Sequence, residues 1–457
     1  MQLSPHIYNM SFKATLFHQI PQAVQFNEPV APEHPFFTDM SGLRGEFGDF
    51  IIYDFLNYNI EEKRCYTDIH AREILFLGGM RGSGKTSELA RYAKELHHSQ
   101  GFFVITCNID EGLNKNNMEY MDILIFQMER LLEESQKREQ LQLSDSVLHS
   151  LKNWFSERAK EVNSTFKTEG SLEIGLGTPE NGISLVAQIL GIIGNIKAMF
   201  AASYERADKV RQVFRQNFPL FKSKFNEFVE ETTLQLRHYG IAQEILFIID
   251  GLEKTLTSDI RRKIILDESG RLQEIKVNTI FTLPIELMKE RRQLEQFATV
   301  KMFPFVKVQD IHHQPIEAAY KVFRQYIDAR IEAYLWEDEA LKDTVITYSG
   351  GSPRELLRII GRAYTYSDRK KKQIDANALQ KAIQNLATEA VQYLTTADFK
   401  ELKIIKENNE KGKPTDFNEK IAHLLENVIL FEYNDGSLKK VNPIVAESAN
   451  YKNNVLS

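Results

Sequence analysis

The segment Gly79-Met80-Arg81-Gly82-Ser83-Gly84-Lys85-Thr86 constrains this chain more than any other stretch of it. Its pattern is glycine, four residues, glycine, lysine, threonine. Successive backbone N–H groups can wrap an anionic phosphate only where no Cβ stands in the way, which is why glycines recur there. Lys85 then offers a point charge to the outer phosphates of a nucleotide, Thr86 offers its hydroxyl to Mg²⁺, and the helix that follows adds its positive end. By ordinary residue frequencies a chain this long meets the bare pattern by chance on the order of once in a hundred. The flanks fit as well. Glu73–Gly79 (EILFLGG) reads as a short buried parallel strand, and Thr86–His97 as a helix with Leu89, Ala93 and Leu96 on one face. The expected phosphate-binding residues are Gly79, Met80, Arg81, Gly82, Ser83, Gly84, Lys85, Thr86 and Ser87.

A buried strand needs neighbours, and the chain supplies them. Phe102–Ile109 (FFVITCNI), Ile245–Asp250, Thr279–Thr282 and Val300–Val308 read as further strands, with a helix over Met118–Leu132. Strands that alternate with helices predict an α/β fold, a parallel sheet covered on both faces. The strand Ile245–Asp250 continues into Gly251, Leu252 and Glu253, so an apolar run delivers a carboxylate at the sheet edge. Asp250 is the expected second metal ligand, and Glu253 the expected base that orients an attacking water.

More than 130 residues separate the second strand from the Asp250 strand. One crossover helix needs far fewer, so about 141–239 is expected to be a helical insertion. After a break at Pro219 its tail carries Phe221, Phe225, Phe228 and Leu236 at core spacing. Within it, Ile183–Ser203 has the length of a membrane span. Gln188, Asn195 and Lys197 would then lie in hydrocarbon at a cost, and a single crossing would part Lys85 from Asp250 across a bilayer. A buried or oligomer-facing helix is the better expectation, with no membrane contact.

The ATPase domain is thus predicted over 71–310, after an N-terminal region (1–70) with four prolines between Pro21 and Pro35 and a helix over Gly45–Tyr58. Beyond Asp310 the pattern is helical alone: Pro315–Ala333, Asp338–Tyr348, Pro353–Tyr366 and Asp375–Tyr393, a helical lid over 311–394. The basic run Arg369–Lys372 reads as a solvated loop. Over 395–457 two helices (Phe399–Asn408, Phe417–Glu426) precede a hairpin with the turn Asn434-Asp435-Gly436-Ser437, the composition of a winged helix.

Charge and cysteine content narrow the setting. The net charge of -6 gives no global attraction to nucleic acid or anionic membrane. Two lone cysteines, Cys65 and Cys107, suit a reducing compartment, and the start lacks the basic and apolar regions of a signal peptide, so a cytoplasmic protein is expected. From Ala397 onward there are nine lysines, no arginine and ten acidic residues, too balanced for strong duplex binding.

The loop at Gly79–Thr86 (Walker A), the Asp250-Gly-Leu-Glu253 form of Walker B and Ser349-Gly-Gly-Ser-Pro353-Arg354-Glu-Leu-Leu together resemble the signal-transducing, oligomerising STAND branch of P-loop ATPases, close to AAA+. The resemblance runs from about Phe36 to Pro443 and leaves the insertion unmatched. It implies ATP with Mg²⁺, an ATPase that hydrolyses a phosphoanhydride, and a molecular switch that assembles with itself or with a protein effector or sensor, in a bacterial stress or phage-defence setting. It places Thr282 at the position that senses the γ-phosphate, Pro353 beside the nucleotide, and Arg354 as a lid sensor. Arg291-Arg292 stand where AAA+ rings carry a trans-acting arginine, and Phe37-Thr38-Asp39 with Arg44 where an adenine loop would begin. A DNA-acting AAA+-like ATPase of the origin-recognition or transposition type, with the winged helix on duplex, stays open as the alternative.

Overall fold

The computed structural model describes residues 12–26, 28–45, 47, 54–66, 72–138, 140–166, 184–201, 203–254, 258–310, 312–433 and 437–456. The chain packs as two compact units, one of Phe50–Leu77 with Tyr92–Lys301, the other of Met1–Asp49, Gly78–Arg91 and Met302–Ser457.

The first unit is built on a five-stranded parallel sheet. Its elements are β1 (Ile74–Gly79), the end of helix α1 (Lys85–Leu96), β2 (Phe102–Asn108), α2 (Tyr120–Gln136), the insertion, β3 (Glu244–Asp250), β4 (Asn278–Leu283) and β5 (Thr299–Phe303). Across the sheet the order is β2-β3-β4-β1-β5, and the last residues of β1 and β5 run into the second unit. All six residues of β1 and all six of β4 are buried, as strands with both faces covered must be. The parallel register sets Asn108 opposite Asp250, and Ile249 opposite Phe281. One residue further along the latter pair come Asp250 and Thr282.

Among the described residues the insertion before β3 carries four helices: α3 (Asp145–Phe166), α4 (Leu185–Phe200), α5 (Tyr204–Gln216) and α6 (Phe218–His238). Pro219 stands in the first turn of α6, where its missing N–H costs nothing, and so starts the helix. The aromatic stripe of α6 is core: Phe221 lies 5.3 Å from Trp154 of α3 and 5.8 Å from Phe225, centroid to centroid. The apolar face of α4 is buried too, at Ile189, Ile192, Ile193 and Ile196. No described helix is long and apolar enough to cross a membrane. Two ion pairs tie the insertion to α2, Arg211 to Asp122 and Lys197 to Glu129, each at 2.5 Å.

In the second unit, α7 (Glu317–Asp328), α8 (Ala340–Ser349), α9 (Pro353–Tyr366) and α10 (Ala376–Val391) share one apolar core with Ala14, Phe17, Ile20, Val24, Phe36 and Met40. The proline-bearing start of the chain therefore belongs to this helical core. Ala14 bridges to Ile331, and the Phe17 and Tyr364 rings lie 4.8 Å apart. Then follow α11 (Thr396–Glu410), α12 (Glu419–Glu426) and an antiparallel hairpin, β6 (Leu430–Tyr433) and β7 (Leu438–Val441).

Element boundaries differ from expectation in places. The strand expected over Val300–Val308 stops at Phe303, because Pro304 has no N–H for a ladder. Residues 304–308 stay buried or nearly so without strand geometry, and Phe305 N–H donates to Glu432 O of the hairpin at 3.3 Å. The helix expected over Pro315–Ala333 is confined to Glu317–Asp328. Half of the helix expected over Gly45–Tyr58 and the hairpin turn 434–436 lie outside the described residues, and the described end of that helix turns at Leu56 and Asn57 into a short strand, Tyr58–Asn59.

Candidate nucleotide site

The loop residues 79–87 lie in the second unit. Gly82 and Gly84 have φ of +84° and +94°, which L side chains rarely adopt, so the loop needs glycine at both. Lys85 is buried, and its ammonium donates to the carbonyls of Gly79 (2.8 Å) and Met80 (3.2 Å). Ser83 Oγ donates to the same Met80 carbonyl at 2.9 Å. A peptide's C=O and N–H point opposite ways, so a carbonyl bonded on one side turns the following N–H to the other. The side chain of Met80 is buried, that of Arg81 exposed, and Thr86 lies at an intermediate depth in the first turn of α1. Ser87 Oγ accepts from Val30 N–H at 3.1 Å, which ties the N-terminal segment to α1.

The turn before α9 packs on this loop. A Cβ added to Gly82 would sit 2.8 Å from Arg354 Cβ, and Ser352 Oγ reaches the Gly82 carbonyl at 3.4 Å. The same hydroxyl accepts from Glu355 N–H and so caps α9, with Pro353 in its first turn. Gly351 (φ +84°) admits no side chain at all, since its Cβ would lie 1.7 Å from Val306 O. Gly350 (φ +56°) is covered by the C-terminal hairpin: its Cβ would meet Phe431 at 2.4 Å, and its carbonyl accepts from Tyr433 Oη at 2.6 Å. Burial pushes the Tyr433 phenol well above its ordinary value, so it stays a donor at any working pH. Loop, turn and hairpin thus touch in series, through glycine backbone where a Cβ would not fit.

The expected carboxylates lie in the first unit. Asp250 ends β3 and is 9% exposed. Gly251 (φ +103°) then turns the chain into a short 3-10 segment, Leu252–Lys254. Thr282, fully buried near the end of β4, links the two: its Oγ1 accepts from Gly251 N–H and donates to Glu253 Oε2, both at 3.1 Å. The structure therefore brings Thr282 and Glu253 into direct contact. Lys254 pairs with Asp110 at 2.6 Å. Burial opposes its charge, but the Asp110 carboxylate, with the charges of Asp250 and Glu253, outweighs that and holds its ammonium above the ordinary value.

Two residues here escaped the sequence reading. Asn108, opposite Asp250 in register, has its Oδ1 3.5 Å from the position of a Cβ on Gly251. A polar residue closing the apolar run of β2 was the available signal. Arg261 is buried, paired with Glu286 at 2.5 Å, and its guanidinium lies 3.4 Å from the Glu253 carbonyl. Nothing in its local pattern distinguishes it from a surface arginine.

Arg291 lies elsewhere, on the surface, paired with Glu295 at 2.7 Å. It lines a cleft of about 730 Å³ with Arg72, Glu73 and Lys301, at the amino-terminal ends of β1 and β5. Two lysines of the hairpin are engaged within the fold. Lys439 is 5% exposed and forms a 3.0 Å pair with the buried Glu432 across the strands. Lys440 donates to Asp310 O at 3.3 Å, and burial holds its ammonium below the ordinary value.

No family model matches the chain, and no curated protein matches it. Among solved structures it overlaps with Drosophila ORC bound to DNA (TM-score 0.37, 12% identity, 94% of this chain and 82% of that one). It overlaps likewise with Cdc6p from Pyrobaculum aerophilum (0.36, 12%, 94% and 99%) and with a RuvB variant from Thermotoga maritima (0.33, 12%, 91% and 96%). These likenesses are distant and assign neither an activity nor a partner.

Proposed function

We propose that this protein is an ATP-binding and ATP-hydrolysing switch in which the state of the phosphate loop is read by the turn at Gly350–Arg354 and passed to the C-terminal hairpin. The observation that carries this reading is the series of contacts in the second unit: Gly82 against Arg354 and Ser352, Gly351 against Val306, Gly350 against Phe431 and Tyr433. A loop that shifts by a fraction of an ångström meets the Arg354 and Ser352 side chains, the turn meets backbone at Val306 and the Phe431 ring, and close-packed contacts transmit such shifts rather than absorb them.

The residues fit a nucleotide triphosphate. Two glycines with positive φ shape the loop, a Cβ on Gly82 would strike Arg354, and the Lys85 ammonium is buried at the loop's end. In this reading Gly79–Ser87 hold the phosphates, with Lys85 supplying charge, while Thr86 and Asp250 hold Mg²⁺, which neutralises charge on the transferred phosphoryl group. Glu253 orients the water and accepts its proton, and Thr282 fixes the angle of that carboxylate through their 3.1 Å hydrogen bond. Arg354 is the lid residue placed to respond, and Pro353 sets where its helix begins.

The elements after Asp310 then form the lid and the winged helix, and the output is assembly with protein partners, itself included. The defence setting rests on the STAND resemblance alone. Engagement of Lys439 and Lys440 within the fold favours a protein over duplex DNA as the partner of the hairpin. The test is nucleotide binding by calorimetry. The wild type should bind ATP with Mg²⁺ and hydrolyse it, and Lys85→Ala should fold and lose binding; unchanged affinity in that variant would overturn the site.

A further inference from the structure

We propose that Arg44 is a positioning residue for phosphate binding, a clamp on the outer face of the loop that turns the Gly84 N–H inward; this rests on the reading that the loop binds a nucleotide. Arg44 is 8% exposed, an unusual depth for an arginine. Its Nη2 donates to the Ser83 carbonyl at 2.8 Å, and Nη1 donates to the Pro304 carbonyl. The guanidinium carbon lies 4.1 Å from the centroid of the Phe303 ring, which itself meets Phe47 edge-on at 5.0 Å. The plane of the group is thereby set on one face by the ring and along its edge by two carbonyls. Arg44 Nη2 also lies 3.4 Å from where a Cβ on Gly84 would stand.

The consequence follows from peptide geometry. The Ser83 carbonyl and the Gly84 N–H belong to one planar unit and point opposite ways. Holding that carbonyl against Arg44 directs the Gly84 N–H away from Arg44. The next peptide back is held at both ends, since the Ser352 hydroxyl reaches the Gly82 carbonyl and the Ser83 N–H donates to the Met80 carbonyl, each at 3.4 Å. Glycine with φ of +94° is otherwise free to flip, and a loop that must choose its peptide orientation on binding loses affinity to that ordering. Arg44 removes the choice beforehand. Its positive charge, buried beside the loop, adds attraction for an anion. Lysine cannot substitute: a point charge has neither the planar fork nor the stacking face that this site uses.

The test compares wild type, Arg44→Lys and Arg44→Met for binding of ATP, ADP and AMP, measured by displacement of a fluorescent nucleotide, with thermal unfolding of each variant as the fold control. Both variants should lose at least tenfold in affinity for ATP and ADP and much less for AMP, because the clamp acts on the loop that holds the outer phosphates. Recovery of wild-type affinity by Arg44→Lys would show that charge alone matters and overturn the orienting role. So would an equal loss for all three ligands, the mark of a general structural defect. If Arg44→Met fails to fold, Arg44→Lys carries the test by the same ratio of ATP to AMP loss. A wild-type protein that binds no nucleotide at all refutes the nucleotide reading itself, an outcome distinct from wild-type binding that the variants leave intact.

Discussion

Tyr433→Phe tests the switch at a single bond. The phenol donates to the Gly350 carbonyl at 2.6 Å, and both residues are buried. Phenylalanine keeps the ring, and with it the contacts to Phe305 at 6.4 Å and Phe431 at 6.5 Å between centroids. Only the hydrogen bond goes, and it leaves a buried carbonyl that water does not reach while the hairpin stays docked. An acceptor stranded in this way costs about 1–3 kcal/mol. Taken against docking alone, that raises the released population of the hairpin by a factor of about 5 to 150, at 1.4 kcal/mol per tenfold. Hydrogen exchange across 429–441 should accelerate accordingly. Linkage is reciprocal, so if a nucleotide in the loop grips the docked form, its affinity falls by at most the same factor. Exchange and nucleotide titration, run on the same variant, separate the links. Faster exchange with unchanged affinity for ATP and ADP would refute the coupling through Gly350; unchanged exchange would refute the importance of the bond.

Three other outcomes are expected. Glu253→Gln should keep ATP and Mg²⁺ binding and lose turnover by about 100-fold or more, the usual worth of a positioned base, with Thr282→Val falling between it and wild type in kcat at little change in KM; wild-type single-turnover rates in Glu253→Gln would make that residue structural. Lys439→Met should destabilise the fold by about 3–5 kcal/mol, because it leaves the Glu432 carboxylate buried without its partner, while duplex DNA at physiological salt should bind no better than micromolar with or without the lysine; submicromolar binding lost in that variant would promote the DNA-acting alternative. Asp110 is held below its ordinary 3.8: burial pushes the carboxyl up, but hydrogen bonds and charge from Lys115 and Lys254 outweigh it. A depressed folded value means stability present above 3.8 and lost as pH falls below it, so the difference in melting temperature between wild type and Asp110→Asn should be level near neutrality and shrink below about pH 4, whereas a difference that grows with acidity would reverse the sign argued here.

What the sequence by itself determined is whatever depends on neighbours along the chain. The glycines at 82 and 84 announce positive φ, the unbroken apolar runs of β1 and β3 announce strands buried on both faces, and the spacing of Phe221, Phe225 and Phe228 announces a buried helix face. Periods of two and 3.6 are local, so these elements and their type were legible, to within a few residues at their ends. Tertiary structure alone decided what depends on residues far apart. Phe303, Pro304 and Ser83 converge on Arg44 across 260 residues of chain, a meeting no local pattern encodes. Thr282 and Glu253 bond because strand register sets the end of β4 beside the turn after β3. Nothing local marks Lys439 as buried, yet the partner strand sets Glu432 directly opposite and the pair is buried, since in a two-stranded ribbon it is packing, and not composition, that selects the covered face.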